Sequence, residues 1–285
     1  MPCALVDAAR RDGREERLAR LPELITEIAR RWSLEVGEPF QPGGQTAWVA
    51  SARTATGDDV VLKVGWRHDE AEHEAAGLRL WDGQGTVRWY ATEEFADTVA
   101  LLIERCTPGT PLSSRPESEQ DGVVRSLLSR LWCEPPAGHE FRPLQQMCDA
   151  WTEQFEAKIA TQPSSLDPGV IRDGVRLFRD LPASADRSVL LCTDLHADNV
   201  LAASREPWLM IDPKPYVGDP TYDPLQHLLN CDRRLHDDPS GFARDMADLL
   251  DLDGDRLCLW LFARCVVESA DWPKLGPIAA RLAPR

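Results

Sequence analysis

The chain lacks any hydrophobic run near the ~20 residues that a membrane-spanning helix requires, and its N-terminus carries charges where a signal peptide would be apolar. Both absences predict a cytoplasmic protein without a membrane partner. Positive charge is also scarce, because 32 Lys and Arg stand against 47 Asp and Glu and the net charge is −15. This balance argues against a nucleic-acid partner, and it suits either plain solubility or a cationic small molecule.

The eight cysteines include no C-x-x-C pair, and several of them lie inside apolar segments. We therefore expect reduced, buried thiols rather than a disulfide framework or a metal site. Internal repeats and low-complexity tracts are absent as well. At 285 residues the chain can bury a sizeable core, either as one large domain or as two lobes.

Two polar stretches that follow short apolar runs carry the strongest chemical signal. Asp194 and Asn199 lie five residues apart after the first run, and Asp212 follows the second. D-x-x-x-x-N alone is common, because Asp and Asn are ordinary turn formers. Phosphoryl transfer from a nucleotide needs one carboxylate at the attacking hydroxyl, and an amide oxygen plus a second carboxylate at the metal ions. The pattern predicts Asp194 as the base and Asn199 and Asp212 as Mg²⁺ ligands, with Asp198 as the alternative ligand.

These stretches, LCTDLHADNVL and MIDPKPYVGDPTYD, resemble the catalytic and metal-binding region of the aminoglycoside phosphotransferase family, relatives of protein kinases. The DPK…VGDP.YD wording is closest to the branch of streptomycin 6-phosphotransferases and hydroxyurea phosphotransferases. The family usually has His two residues before the catalytic Asp, where this chain has Cys192. The resemblance implies an α+β, two-lobed, protein-kinase-like fold. Its N-terminal lobe would be a small antiparallel sheet, and its larger C-terminal lobe would be mostly helical.

Three strand-like pieces in the N-terminal part lead to a lysine; they cover residues 34–40, 46–53 and 59–64. Gly43 and Gly44 lie between the first two pieces, and glycine lets backbone amides approach a phosphate because it has no Cβ. An ordinary hairpin turn is the alternative. Lys63, in the third piece, predicts a contact with the nucleotide phosphates. A surface lysine on a strand is the alternative there.

A helix is predicted next, with Asp69 as its N-cap and Glu72 completing a capping box. In a kinase a helix glutamate holds the phosphate-binding lysine. Resemblance of EAAGLRL to the family's helix favours Glu74 in that role, and Glu70, one turn earlier on the same face, is the alternative. A solvated helix face is the simplest reading of both.

Strands over 86–92 and 98–104 precede the Pro- and Gly-containing segment 105–111, which is the predicted domain boundary. We therefore divide the chain into an N-lobe, residues 1–106, and a C-lobe, residues 107–285. By resemblance, the backbone groups of Glu104 and Cys106 would bind the adenine edge. On composition alone this segment could equally be a linker.

Apolar residues at helical spacing predict a series of helices. They cover 14–32, with Pro22 as a kink or restart, 117–132, 143–160, 168–181, a helix that opens at Asp219–Asp223 and runs through Asn230, Phe242–Leu250 and Arg256–Ala270. The tail, 273–285, is expected to be irregular. Asp219 and Asp223 are interpreted first as structural carboxylates.

We thus expect a monomeric enzyme that uses ATP or GTP with Mg²⁺ to phosphorylate a hydroxyl of a small molecule. Resemblance implies an aminoglycoside of the streptomycin type and antibiotic resistance. The aspartate-rich stretch between Asp232 and Asp255 would attract a cationic substrate, unless it is a solvated face. A metabolic alcohol or amino sugar as acceptor, and a nucleotide-binding pseudokinase, are the alternatives. A protein kinase is disfavoured, because the chain after Asp212 leaves no room for an activation segment.

Overall fold

The computed structural model of the protein describes residues 1–162 and 164–284, and the side chain of Glu70 lies outside the described set. The chain divides into two compact units. The first unit holds Met1–Thr110 and the segment Ala202–Leu209, and the second holds Pro111–Leu201 and the chain from Met210 onwards. The sequence-based division after Cys106 stays a prediction. None of the described helices is long and apolar enough to cross a membrane.

A five-stranded antiparallel sheet forms the centre of the first unit, in the order β1-β2-β3-β5-β4. Its strands are β1 (Glu35–Pro39), β2 (Ala47–Arg53), β3 (Asp59–Trp66), β4 (Trp89–Glu94) and β5 (Thr98–Glu104). The five strands predicted from the sequence are therefore confirmed, with small shifts at their ends. Alternating residues of the central strands are buried in one cluster, as the period of two requires.

The helices α1 (Cys3–Arg11) and α2 (Glu15–Arg31) contribute to this same cluster through Leu5, Leu21 and Ile28. Helix α2 is the helix predicted over 14–32, and it continues through Pro22 without a restart. Helix α1 was not predicted. The expected capping box at Asp69 is wrong, because Asp69–Ala71 is a separate 3₁₀ turn and α3 (Glu74–Trp81) begins after it.

The second unit is mostly helical, and α10 lies in its core. Its helices are α4 (Glu117–Leu131), α5 (Leu144–Thr161), α6 (Pro168–Asp180), α7 (Leu225–Asn230), α8 (Asp232–Asp237), α9 (Pro239–Leu250), α10 (Gly254–Glu268) and α11 (Leu275–Leu282). Helix α10 packs against α5, α6, α9 and α11. Its Trp260 meets the ring of Tyr222 edge-on at a centroid distance of 5.0 Å and that of Phe178 at 5.9 Å. Aromatic pairs favour this arrangement.

Helix α11 corrects the expectation of an irregular tail. Pro277 lies in the first turn of α11, where backbone N–H groups have no partner within the helix, so proline costs no hydrogen bond there.

Four short strands complete the second half of the chain. They are β6 (Val189–Leu191), β7 (Val200–Ala202), β8 (Trp208–Met210) and β9 (Tyr216–Gly218), with β6 paired to β9 and β7 to β8.

Candidate active site

Lys63 and Glu74 form an ion pair within the first unit. Lys63 lies in β3 between Leu62 and Val64, which belong to the core cluster shared with α1 and α2. Because side chains alternate along a strand, Lys63 points to the opposite face. Its Nζ lies 2.6 and 2.7 Å from the two carboxylate oxygens of Glu74, in the first turn of α3. The two side chains are only 13% and 4% exposed, so removing either one would leave a buried charge without its partner.

Glu74 therefore has the contact that the sequence analysis assigned to it. The side chain of the alternative, Glu70, lies outside the described residues. The pairing does not by itself establish a phosphate contact for Lys63, which stays a prediction.

The loop that carries Gly43 and Gly44 packs against the N-terminal segment. Gly43 has a positive φ of +82°, and a Cβ on it would lie 2.5 Å from the Cβ of Pro2. The backbone N–H of Ala4 donates to the carbonyl of Pro42 at 3.1 Å. Glycine is thus required at position 43 by conformation and by close packing. Gly44 is exposed, and the phosphate role of both glycines stays a prediction.

Glu104, at the end of β5, uses its carboxylate within the first unit. Both of its oxygens accept hydrogen bonds from Arg205, the shortest at 2.8 Å, and the Arg88 backbone N–H donates to it at 3.0 Å. Burial acts to raise the pKa of Glu104, but these bonds outweigh it and lower the pKa. The Glu104 backbone N–H already donates to the carbonyl of Arg88.

Cys106 lies two residues further on and is half-buried. Burial, with a smaller contribution from the charge of Glu104, raises the pKa of its thiol to about 12, so the thiol is un-ionised near neutral pH. Among the residues that the structure describes, none accepts a hydrogen bond from the Cys106 backbone N–H. This donor is compatible with the predicted adenine contact.

The remaining predicted residues lie on two loops of the second unit. Residues 192–199 connect β6 to β7 and are called the catalytic loop below. Residues 211–215 connect β8 to β9 and are called the DPK loop. Because β6 and β9 are antiparallel neighbours, the two loops lie side by side.

Three hydrogen bonds join the two loops, two between backbone groups and one from a side chain. The N–H of Lys214 donates to the carbonyl of Cys192 at 2.9 Å, and the hydroxyl of Thr193 donates to the carbonyl of Lys214 at 2.6 Å. At the far end, the N–H of Ile211 donates to the carbonyl of Asn199 at 2.8 Å. The position of one loop is therefore fixed by the other.

Asp194, Asn199, Asp212 and Lys214 form one cluster of side chains. The Asn199 amide nitrogen donates to the backbone carbonyl of Asp194 at 3.1 Å and to its carboxylate at 3.2 Å. The Lys214 ammonium lies 3.0 Å from Asp212 Oδ1 and 3.7 Å from Asp194 Oδ2. Burial raises the pKa of Asp194, while the charges of Lys214 and His196 act to lower it. The structure thus brings together the three residues that the sequence pattern selected, and adds Lys214.

Asp223 anchors the start of the catalytic loop through hydrogen bonds to its backbone. Its carboxylate is fully buried and accepts the backbone N–H groups of Thr193 at 2.6 Å and Cys192 at 3.2 Å. The Trp132 indole donates to it at 2.9 Å. Burial raises the pKa of Asp223. These bonds agree with the interpretation of Asp223 as a structural carboxylate.

Cys192 stands where the family usually has His, and it takes part in the same arrangement. Its buried thiol donates to Asp223 at a sulfur–oxygen distance of 3.5 Å. The loop is therefore anchored despite the departure from the family pattern.

Asp219, the other structural candidate, caps the 3₁₀ turn Pro220–Tyr222 and accepts hydrogen bonds from Arg256 and Trp260.

The donor set of the cluster suits a cation bound by oxygen. Asn199 uses its amide nitrogen towards Asp194, which leaves the amide oxygen for a ligand role. The Asp212 side chain is 36% exposed. No three His, Cys, Asp or Glu side chains in the described chain form a group that could hold a metal alone. The two predicted ligands are one amide oxygen and one carboxylate, and Mg²⁺ takes one or two protein ligands and completes its shell with water and substrate phosphates.

The aspartate-rich stretch lies on α9 and the turn that follows it. Asp245, Asp248 and Asp251 are exposed. Asp253 has a structural task, because its carboxylate caps α10 by accepting the backbone N–H groups of Asp255 and Arg256 at 2.9 and 3.0 Å.

The family model for aminoglycoside/hydroxyurea antibiotic resistance kinases matches residues 31–276 of this chain. The chain belongs to this family. It is therefore a kinase that acts on a hydroxyl group, which confirms the phosphotransferase prediction and disfavours the pseudokinase.

Two relatives of this kinase family have names that state an acceptor. Streptomycin 6-kinase of Streptomyces griseus is 32% identical over 93% of this chain and 88% of its own length. Hydroxyurea phosphotransferase of Kitasatospora aureofaciens is 33% identical over 95% of this chain and 79% of its own length.

Among solved structures, LicA in complex with AMP aligns with a TM-score of 0.62 at 14% identity. The alignment covers 91% of this chain and 96% of LicA, which is a choline kinase from Streptococcus pneumoniae. At this identity the likeness shows the fold alone. The protein-kinase-like fold predicted from the sequence, with an antiparallel-sheet lobe and a larger helical lobe, is confirmed.

Proposed function

We propose that this kinase transfers the γ-phosphoryl group of ATP to a hydroxyl of a streptomycin-type aminoglycoside. One observation carries the proposal: Asp194, Asn199 and Asp212, the residues predicted from the sequence, meet in one cluster. Membership in a family of antibiotic resistance kinases supports the acceptor class.

Asp194 is assigned as the residue that receives the proton of the acceptor hydroxyl. Its partial burial favours this role, because a carboxylate with a raised pKa is a better proton acceptor. The hydrogen bond from Asn199 fixes the orientation of the carboxylate. The acceptor oxygen forms the new bond to phosphorus while the bond to the bridging oxygen of ADP breaks.

Asn199 and Asp212 are assigned as the protein ligands of Mg²⁺. When bound, the metal supplies charge neutralisation at the phosphate oxygens. The Ile211–Asn199 backbone bond keeps the two ligands adjacent. Asp198 is less suited, because it is exposed and accepts a hydrogen bond from Ser113.

The residues of the first unit are assigned to the nucleotide. Lys63, oriented by Glu74, would pair with the phosphates, and the loop of Gly43 and Gly44 would lie against them. Cys106 would donate its backbone N–H to the adenine edge, and Glu104 precedes it. The AMP bound to LicA supports nucleotide use in this fold.

Streptomycin is preferred over hydroxyurea on electrostatic grounds. The two named relatives are equally similar to this chain, so identity does not separate their acceptors. A chain of net charge −15 attracts the guanidinium groups of streptomycin, whereas hydroxyurea is neutral.

An acceptor panel tests the function. Purified protein with Mg²⁺ is given ATP or GTP and one of four acceptors: streptomycin, hydroxyurea, an amino sugar or a neutral metabolic alcohol. Phosphorylated product is then measured by mass. We expect streptomycin to give the highest kcat/KM. Unmodified streptomycin beside a phosphorylated neutral alcohol would contradict the aminoglycoside assignment and leave the kinase intact.

A monomeric state and a cytoplasmic location stay predictions. Sedimentation equilibrium of the purified chain tests the first, and fractionation of cells that express it tests the second.

A further inference from the structure

Lys214 has none of the roles assigned above, yet it lies between the two carboxylates of the cluster. Its side chain is 14% exposed, and its ammonium is 3.0 Å from Asp212 and 3.7 Å from Asp194. Only four of the 32 basic residues are lysines. Lys158 and Lys274 are 46% exposed and pair with surface aspartates, whereas the side chains of Lys63 and Lys214 are only 13% and 14% exposed.

The backbone of Lys214 is fixed to the residues that precede Asp194. Its N–H donates to Cys192 and its carbonyl accepts from Thr193, so the DPK loop and the catalytic loop hold the Cα of Lys214 in place. From this fixed point the four-carbon stem can move the ammonium over a few ångströms.

We propose that Lys214 is a further catalytic residue, whose ammonium contacts the phosphoryl group during its transfer. The inference rests on the proposed function. An acceptor oxygen that gives its proton to Asp194 lies roughly 2.6–3.2 Å from that carboxylate. The phosphorus that it attacks lies about 3–3.5 Å beyond it. The Lys214 ammonium, 3.7 Å from Oδ2 of Asp194, is therefore within reach of the phosphoryl oxygens.

Electrostatics explain why a cation is needed at this point. The transferred group carries negative charge on its three equatorial oxygens and approaches the carboxylates of Asp194 and Asp212. Like charges at such distances oppose the reaction, and an ammonium in a water-poor site offsets them with short, charge-assisted hydrogen bonds. During the step, phosphorus exchanges the bridging oxygen of ADP for the acceptor oxygen, and the proton moves to Asp194.

The competing interpretation is that Lys214 only keeps the two carboxylates together. The test compares Lys214→Ala and Lys214→Arg with the matched control Lys158→Ala, which removes an exposed lysine of the second unit that pairs with Asp271. Steady-state kcat with streptomycin, the Kd for Mg²⁺–AMP-PNP by calorimetry, and Tm are measured for each variant.

We expect Lys214→Ala to lower kcat by ~10²–10³-fold, as for other groups that stabilise transition-state charge. Its Kd for Mg²⁺–AMP-PNP should stay within about threefold of wild type, because the contact is made during transfer. Lys214→Arg should keep part of the activity, and ethylammonium should restore part of it to Lys214→Ala. Lys158→Ala should match wild type.

Equal kcat in Lys214→Ala and Lys158→Ala would overturn the inference while leaving the kinase assignment intact. A kcat loss that neither arginine nor ethylammonium relieves, with weakened AMP-PNP binding or a lowered Tm, would also overturn it in favour of the purely structural role. Absence of transfer by the wild-type chain to every acceptor would instead overturn the proposed function, and the inference with it.

Discussion

At the scale of single residues, the two loops of the candidate site each contain a non-glycine residue in the left-handed region. Thr193 has a φ of +46° and Asp212 a φ of +51°. Such conformations cost on the order of 1–3 kcal/mol each and persist only where the surroundings enforce them. At Thr193 the enforcing contacts are the hydrogen bonds to Asp223 and Lys214.

Asp223 should therefore be more important to the loop than Cys192. We expect Asp223→Asn to destabilise the protein by about 1–3 kcal/mol and to lower kcat, because one amide cannot accept all of the buried donors. Cys192→Ala removes only the weak thiol donor and should cost less in both measures. Urea unfolding and kcat measured well below Tm give the ranking; a larger effect of Cys192→Ala would refute it.

Asp121 predicts a pH dependence of stability. Burial acts to raise its pKa, but hydrogen bonds from His227 and Arg234 lower it below the ordinary value. A carboxyl whose folded pKa is lowered stabilises the fold above its unfolded pKa of about 3.9, and the contribution is lost as pH falls through the folded pKa.

Asp121→Asn should thus be less stable than wild type at neutral pH, by about 1.5–3 kcal/mol for a charged hydrogen-bond partner. The difference should shrink below about pH 4. Unfolding free energies of both proteins across this range check the sign. A gap that widens on acidification would show that the assigned direction is wrong.

At the scale of elements, the packing of α6 on α10 depends on one glycine. A Cβ at Gly174 would lie 2.5 Å from a methyl carbon of Val266. Gly174→Ala should cost about 1–3 kcal/mol through overpacking. A Cβ at Gly122, on α4, would meet nothing within 4 Å outside its own helix, so Gly122→Ala is the matched control and should stabilise by about 0.5–1 kcal/mol. Thermal unfolding of both variants measures this; equal effects would contradict the packing argument.

The elements also show how far local patterns reach. Alternation predicted the strands around Lys63, and the helical spacing of apolar residues predicted α2 and α4 to α6. Helix α1 was not predicted, because its nine residues are too few for a clear helical spacing of apolar residues. Helix α11 was not predicted, because Gly276 and Pro277 usually interrupt a helix. Here both lie in the first turn of α11, where they are tolerated.

The candidate site also shows that local sequence patterns do not predict contacts between separate segments. The residue types of Asp194, Asn199 and Asp212, together with the apolar runs before them, indicated the chemistry. Lys214 did not stand out, because its position beside Asp194 depends on the pairing of β6 with β9. That pairing joins Val189–Leu191 to Tyr216–Gly218 across two loops and another strand pair, and three-residue strands carry too little pattern to predict it.

At the scale of the whole molecule, the net charge acts on the acceptor at a longer range than any direct contact. A chain of charge −15 attracts a cationic aminoglycoside over roughly a Debye length, ~8 Å at physiological salt. We expect kcat/KM for streptomycin to fall as ionic strength rises, with a weaker dependence for a neutral acceptor.

Charge-neutral variants locate the origin of this attraction. Combined Asp→Asn changes at Asp245, Asp248 and Asp251 should reproduce the loss of kcat/KM if these exposed residues guide the acceptor. Unchanged kcat/KM would assign them to a solvated face. Asp253 is left intact because it caps α10.

The mass of streptomycin after incubation with Mg²⁺-ATP, compared between wild type and Asp194→Asn, tests the central claim most directly. We predict that the wild-type chain adds one phosphoryl group, and that Asp194→Asn binds nucleotide but transfers ~10²–10⁴-fold more slowly. Streptomycin of unchanged mass with the wild-type chain, or equal rates from the two proteins, would contradict the account.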